Sequence, residues 1–154
     1  VDVRDDRRRW PLPPGRTRAA GRERPPGVVQ YMPCVPRDDR REAFSAAKRA
    51  VAGMLPAYWA LAQRLPDARA ALLDGSGIAE ADFAAAAARL TAGEQPDAAL
   101  DERFVTAFTI AGTADDCRGQ AEAYATAGVT ELALTFSGPA FPSDMAYIGK
   151  AFAR

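Results

Sequence analysis

The sequence predicts an α/β fold, mostly helical, with two strands. Two short runs, residues 28–34 and 132–136, are rich in β-branched, aromatic and leucine residues, which suit a pleated surface. The stretches between them carry apolar residues at helical spacing. From Thr113 to Phe136 a helix start, a helix, a helix stop and a strand follow one another, which is half of a βα repeat.

Residues 1–27 hold eight arginines interleaved with five prolines and show no apolar period. This segment is expected to be a disordered tail or a non-native stretch, such as a GC-rich gene read out of frame gives. A basic arm for nucleic acid is the rival reading. The first strand follows at 28–34, with Pro33 and Pro36 ending it. Asp38 or Asp39 opens a helix with Phe44, Ala47, Val51 and Leu55 on one face. Pro56 is expected to kink or restart it, because it removes one backbone donor and crowds the preceding turn. Tyr58, Leu61, Ala62 and Leu65 continue the face up to Pro66.

A short helix is expected over 67–73, closed by a turn at 74–77. The alanine-rich run 79–90 is helical by propensity and has few large apolar residues, so it is placed at the surface. One helix is expected from Pro96 or Asp97 through Leu100, Phe104, Val105 and Phe108. Thr113 is a good N-cap, Asp115 and Asp116 suit a helix's positive end, and Gly128 suits the left-handed residue after its last turn. Ser143 is expected to cap a final helix whose buried face carries Met145, Ile148 and Phe152.

The net charge is zero, so bulk electrostatics point to neither nucleic acid nor membrane. No apolar run reaches the roughly 18 residues of a membrane span, and a cytoplasmic location is the default expectation. Nothing in the placing of the cysteines, Cys34 and Cys117, argues for a disulfide framework. The sequence has no histidine, which removes the commonest general base and metal ligand. The acid pairs Asp38–Asp39 and Asp115–Asp116 are explained by capping rather than metal binding, and no metal is expected.

The run Ile110-Ala-Gly-Thr113-Ala-Asp-Asp116-Cys117, the helix after it, Ala127-Gly-Val-Thr130-Glu-Leu-Ala-Leu-Thr135, and then Ser137-Gly-Pro139 resemble the C-terminal end of the bacterial luciferase-like oxidoreductases. That superfamily includes flavin-dependent monooxygenases and deazaflavin-dependent enzymes such as methylenetetrahydromethanopterin reductase, and its members are TIM barrels. A complete barrel takes about 250 residues. The resemblance therefore implies that residues 28–154 are the C-terminal part of a (β/α)8 barrel. The two strands are then the seventh and eighth, parallel neighbours joined by a long helical crossover.

The resemblance implies an oxidoreductase or monooxygenase that passes hydride between a ring coenzyme and a small-molecule substrate. The coenzyme that the resemblance implies is a deazaflavin (F-420) or FMN. It also implies a protein partner, either a second copy in a homodimer or the missing N-terminal half-barrel. The histidine that some flavin members use as a base is absent, so the catalytic residues are unknown. In a barrel, strand parity is expected to turn Leu132, Leu134 and Phe136 outward with Val29, Tyr31 and Pro33. Cys34, Thr135 and Ser137 then line the top of the lumen, with Gly138 allowing close backbone approach. The plainer reading is that Cys34 is a small buried hydrophobe and that Thr135 and Ser137 end a strand. At the level of the whole chain the alternative is a non-catalytic helical interaction module.

Overall fold

The computed structural model describes residues 27–153. The expectations for the arginine-rich start lie outside the described residues. Among the described residues there are three parallel strands: β1 (Val29–Pro36), β2 (Ile110–Gly112) and β3 (Glu131–Thr135). Seven helices surround them: α1 (Arg40–Arg64), α2 (Pro66–Ser76), α3 (Glu80–Thr91), α4 (Pro96–Ala99), α5 (Glu102–Phe108), α6 (Ala114–Thr126) and α7 (Phe141–Phe152).

The mostly helical α/β class and the parallel pairing of the two expected strands stand. β1 pairs β3 in the register Val29 to Glu131 through Pro33 to Thr135. Sequence reasoning missed β2, which pairs with the other side of β1 from Cys34 to Pro36. The order is β2-β1-β3, with β1 in the middle. β1 also runs on to Pro36 instead of stopping at Pro33. Pro33 is tolerated because it has no N–H to donate and stands just before the first β2 pair, at Cys34.

Alternate residues of β1 point to opposite faces, and both faces are partly covered. Val35 and Ala111 pack against Ala43, Phe44 and Ala47 of α1. Met32, Cys34 and Ile110 pack against Cys117 of α6 and Ile148 of α7. Helices on both faces are the usual solution for a parallel sheet.

α1 is a single unbroken helix through Pro56, capped by the Asp39 side chain, which accepts from the Glu42 N–H at 2.9 Å. The helix does not restart at Pro56. Its neighbours Leu55 and Trp59 are both buried, and their packing holds the helix across the missing donor. The far half of α1 leaves the sheet and joins a helical core made by Val51, Leu55, Trp59, Ile78, Phe83 and Phe104.

Other boundaries also move. α2 extends through Gly75 to Ser76 and ends at Gly77, whose φ of 65° is left-handed. The alanine-rich α3 is not a surface helix on all sides: Phe83, Ala86 and Ala87 are buried, because small side chains let it pack closely. The single helix expected over 96–108 breaks at Leu100–Asp101, where Leu100 turns into the core and Asp101 caps a new start, accepting from the Arg103 N–H at 2.9 Å. The last helix starts at Phe141, not at a Ser143 cap, and the Ser143 hydroxyl instead donates to the Ala140 carbonyl at 2.9 Å. On its apolar face only Ile148 is buried; Met145 is 52% and Phe152 42% exposed.

Phe83 is the centre of the helical core. Its ring contacts Trp59, Phe104 and Phe108 at centroid distances of 5.4, 5.7 and 5.9 Å, and it is fully buried. Phe83→Ala is expected to cost about 3–5 kcal/mol, transfer and cavity together. Urea denaturation followed by helix signal checks this; a loss below about 1 kcal/mol would mean that the cluster is not close-packed.

Candidate functional site

The C-terminal ends of the three parallel strands share one edge of the sheet. In α/β folds ligands bind at that edge, where loops rather than core side chains are free to vary. It is formed by Pro36 and Arg37 after β1, Gly112 and Thr113 after β2, and Phe136 to Gly138 after β3.

The first two loops are locked together. The Arg37 N–H donates to the Gly112 carbonyl at 3.0 Å. Gly112 has φ of 129°, and a Cβ there would sit 2.6 Å from Asp116, so only glycine fits. Thr113 and Asp116 form a full capping box. The Asp116 carboxylate accepts from the Thr113 N–H and hydroxyl, each at 2.9 Å, and the Thr113 hydroxyl accepts from the Asp116 N–H at 3.3 Å.

Both basic residues at this edge are paired. The Arg40 guanidinium donates to Asp116 at 2.6 Å and lies over the Phe44 ring, 4.5 Å from its centroid. Arg37 is paired with Asp144 on α7, a carboxylate only 6% exposed, and the Tyr147 hydroxyl donates to the Arg37 carbonyl at 3.4 Å. This contact ties α7 over the end of β1. The sequence pattern gave no sign of it, because the two residues are 107 positions apart.

The residues expected to line a pocket are not brought together on one face. Cys34 is 2% exposed, among Met32, Ile110, Cys117 and Ile148. Its thiol is pushed far above the ordinary cysteine range by its hydrogen bond with Cys117 and by burial, so it stays protonated. Both thiols are free, and the Cys117 thiol also lies 3.9 Å from the Gly112 carbonyl as donor. Thr135, Ser137 and Gly138 are exposed. Gly138 has φ of 82° and open space where a Cβ would stand.

The parity expectation is corrected by the register. Met32 pairs with Leu134 and Pro33 with Thr135, and paired residues of parallel strands share a face. Leu132 and Leu134 thus face the same side as Met32 and Cys34, and Thr135 faces the opposite side with Tyr31 and Pro33. Thr135 also lines a crevice of about 1810 Å³ whose walls come from both sides of the sheet, among them Tyr31, Phe44, Tyr58, Met32 and Tyr124. That volume exceeds the roughly 300–1,000 Å³ of a small-molecule pocket. Among the described residues no cluster of three or more potential metal ligands occurs, and no helix is long and apolar enough to cross a membrane.

Parallel strands joined by helices and ending at one polar edge define an α/β structure, and it matches a fragment of a TIM-barrel neighbour. The fold is similar to that of the coenzyme F420 dependent tetrahydromethanopterin reductase from Methanopyrus kandleri, with a TM-score of 0.59 and 25% sequence identity. The match covers 82% of this chain and 34% of that one, so the chain spans about a third of the reductase's length. The resemblance to the luciferase-like oxidoreductases is borne out by this likeness. No protein-family model matches the sequence, and no curated protein matches it.

Asp116 is the titrating group most tied to this edge. Burial raises its pKa, but the Thr113 hydrogen bonds and the Arg40 charge outweigh that and hold it below the ordinary carboxylate value. A carboxyl lowered in the folded state stabilises above its unfolded pKa of about 3.9 and loses that contribution as pH falls through the folded pKa. Stability is therefore expected to fall below about pH 4, and Asp116→Asn is expected to flatten part of that fall. Urea midpoints of both proteins between pH 2 and pH 7 test it; identical slopes would remove Asp116 from the account.

Proposed function

We propose that this chain forms the coenzyme-facing C-terminal part of a luciferase-like oxidoreductase that uses a deazaflavin coenzyme. The observation that supports this is the likeness, over 82% of the chain, to a reductase described as coenzyme F420 dependent. A deazaflavin when bound supplies or accepts hydride. Thr135 and Ser137 offer hydroxyls at the strand ends, and Gly138 leaves room for a flat ring to approach the backbone. Cys34 is buried on the opposite face of the sheet from Thr135, as core packing and not as a nucleophile. Arg37 and Arg40 are each committed to a carboxylate, so this edge fits the ring of the coenzyme better than its phosphate. FMN would meet the same surface and is the second choice. The substrate is a small molecule, reached at the same edge.

Binding without turnover is the expected behaviour of this chain alone, since it spans about a third of the reductase's length. Titration with coenzyme F420 and with FMN, followed by their fluorescence, is the direct test. F420 should bind more tightly, and Gly138→Val and Ser137→Ala should weaken it, Gly138→Val by about tenfold, or roughly 1.4 kcal/mol. Equal affinity for both coenzymes, indifferent to either change, would count against the proposal.

A further inference from the structure

Two thiols meet in the core between the sheet and α6. Cys34 of β1 is 2% exposed, and Cys117, at the end of the first turn of α6, is fully buried. Both belong to one apolar cluster with Met32, Ile110 and Ile148, and both are free. They form a short chain of hydrogen bonds. The Cys34 thiol donates to the Cys117 sulfur, and the Cys117 thiol donates to the Gly112 carbonyl at 3.9 Å. A single buried cysteine is only a small hydrophobe. Two that bond each other across a strand and a helix are a pair.

The two members of the pair differ. The Cys34 hydrogen bond lowers the Cys117 thiol from its ordinary range, outweighing burial and the Asp116 charge. The same bond, together with burial, keeps the proton on Cys34. Cys117 also stands near the positive end of α6, where a thiolate is favoured. One thiol that ionises first beside one that holds its proton is the division of roles found in dithiols that exchange with disulfides. The cover over the pair is α7. It is held here by Ile148 and by the Arg37–Asp144 ion pair, while Phe141, Met145 and Phe152 are largely exposed. A helix with so few buried contacts opens locally more often than the rest of the core.

We propose that Cys34 and Cys117 are a redox-active dithiol, which small-molecule disulfides oxidise to an internal disulfide joining β1 to α6. The Cys117 thiolate attacks one sulfur of the reagent. A bond to Cys117 forms, the reagent's own S–S bond breaks, and its other half leaves as a thiolate, which takes the Cys34 proton. Cys34 becomes a nucleophile only at this point. Its sulfur attacks Cys117, the protein disulfide forms, and the second half of the reagent leaves and takes up the proton that Cys117 had given to solvent. The two cysteines lose two electrons and two protons, and the reagent carries both away as two thiols. Cys117 directly follows Asp116, so the new bond also pins the capping box and the Gly112 loop at the strand-end edge. It needs no coenzyme.

The test treats the full chain, without denaturant, with bis(hydroxyethyl) disulfide and maps the products by mass spectrometry. The expected product is a monomer with a Cys34–Cys117 disulfide. It closes a loop of roughly 80 residues, so its Tm should rise by about 5 °C or more, and dithiothreitol should reverse the rise. Cys34→Ala should stop at a mixed disulfide on Cys117. Cys117→Ala should leave Cys34 at least tenfold less reactive. Ile148→Ala, which loosens α7, should speed oxidation at least threefold. Partial conversion of the unaltered chain gives the same information without any variant: the mixed disulfide should be found on Cys117. A mixed disulfide found first on Cys34 overturns the proposal. So does a disulfide that forms only in urea, one that joins two chains, or one that lowers the Tm.

Discussion

The layers of the molecule meet along one stripe of α1. Ala43, Phe44 and Ala47 seat its first turns on the sheet, and Val51, Leu55, Trp59 and Ala62 carry the same stripe into the helical core. A helix of 25 residues is about 37 Å long, which is more than three short strands can cover. The overhang is what α2, α3 and α5 pack against. Each fully buried large side chain on this stripe contributes roughly 1.5–3 kcal/mol of burial, so the stripe outweighs the missing hydrogen bond at Pro56. The sheet, by contrast, is held by one strand with neighbours on both sides, and the start of that strand is exposed at Val29 and Tyr31.

Much of this was legible from local chemistry. Thr113, Asp116 and Gly128 announced the start and stop of α6, because caps depend on residues within one turn. The stripe of α1 followed from spacing. What failed depended on distant residues. Ile110–Gly112 looks like the approach to a helix and becomes a strand only because Cys34–Pro36 offers it an edge. The break at Asp101 depends on Leu100 finding a core. Strand parity was misjudged because bulky residues were taken to face helices on a single side, whereas this sheet has helices on both. Of the proposed site, Thr135 and Ser137 were legible as strand-end polar residues and Gly138 as an open glycine, and the burial of Cys34 agrees with the plainer reading of that residue.

Fold likeness does not itself carry chemistry, since barrels of one shape host many reactions. The strand-end edge here offers hydroxyls and an open glycine but pairs off its arginines, and no histidine stands anywhere in the sequence. Hydride transfer asks little acid–base work of the protein, because the coenzyme ring carries the reactive atom. A site poor in titrating groups is compatible with such chemistry in a way that it would not be with ester or peptide hydrolysis.

The central position of β1 has a consequence for how the chain is made. Its partner β3 lies about a hundred residues downstream; Val28 and Thr130, which hydrogen bond across this junction, are 102 positions apart. At roughly 5–20 residues per second of synthesis, β1 leaves the ribosome some 5–20 s before the strand that covers it. The helices from α1 to α5 need only nearby residues and can settle during that interval, while sheet closure requires distant segments to meet and is the slow step. A nascent chain of this protein therefore carries a formed helical body and a bare apolar strand, the state that binds holding chaperones and aggregates without them.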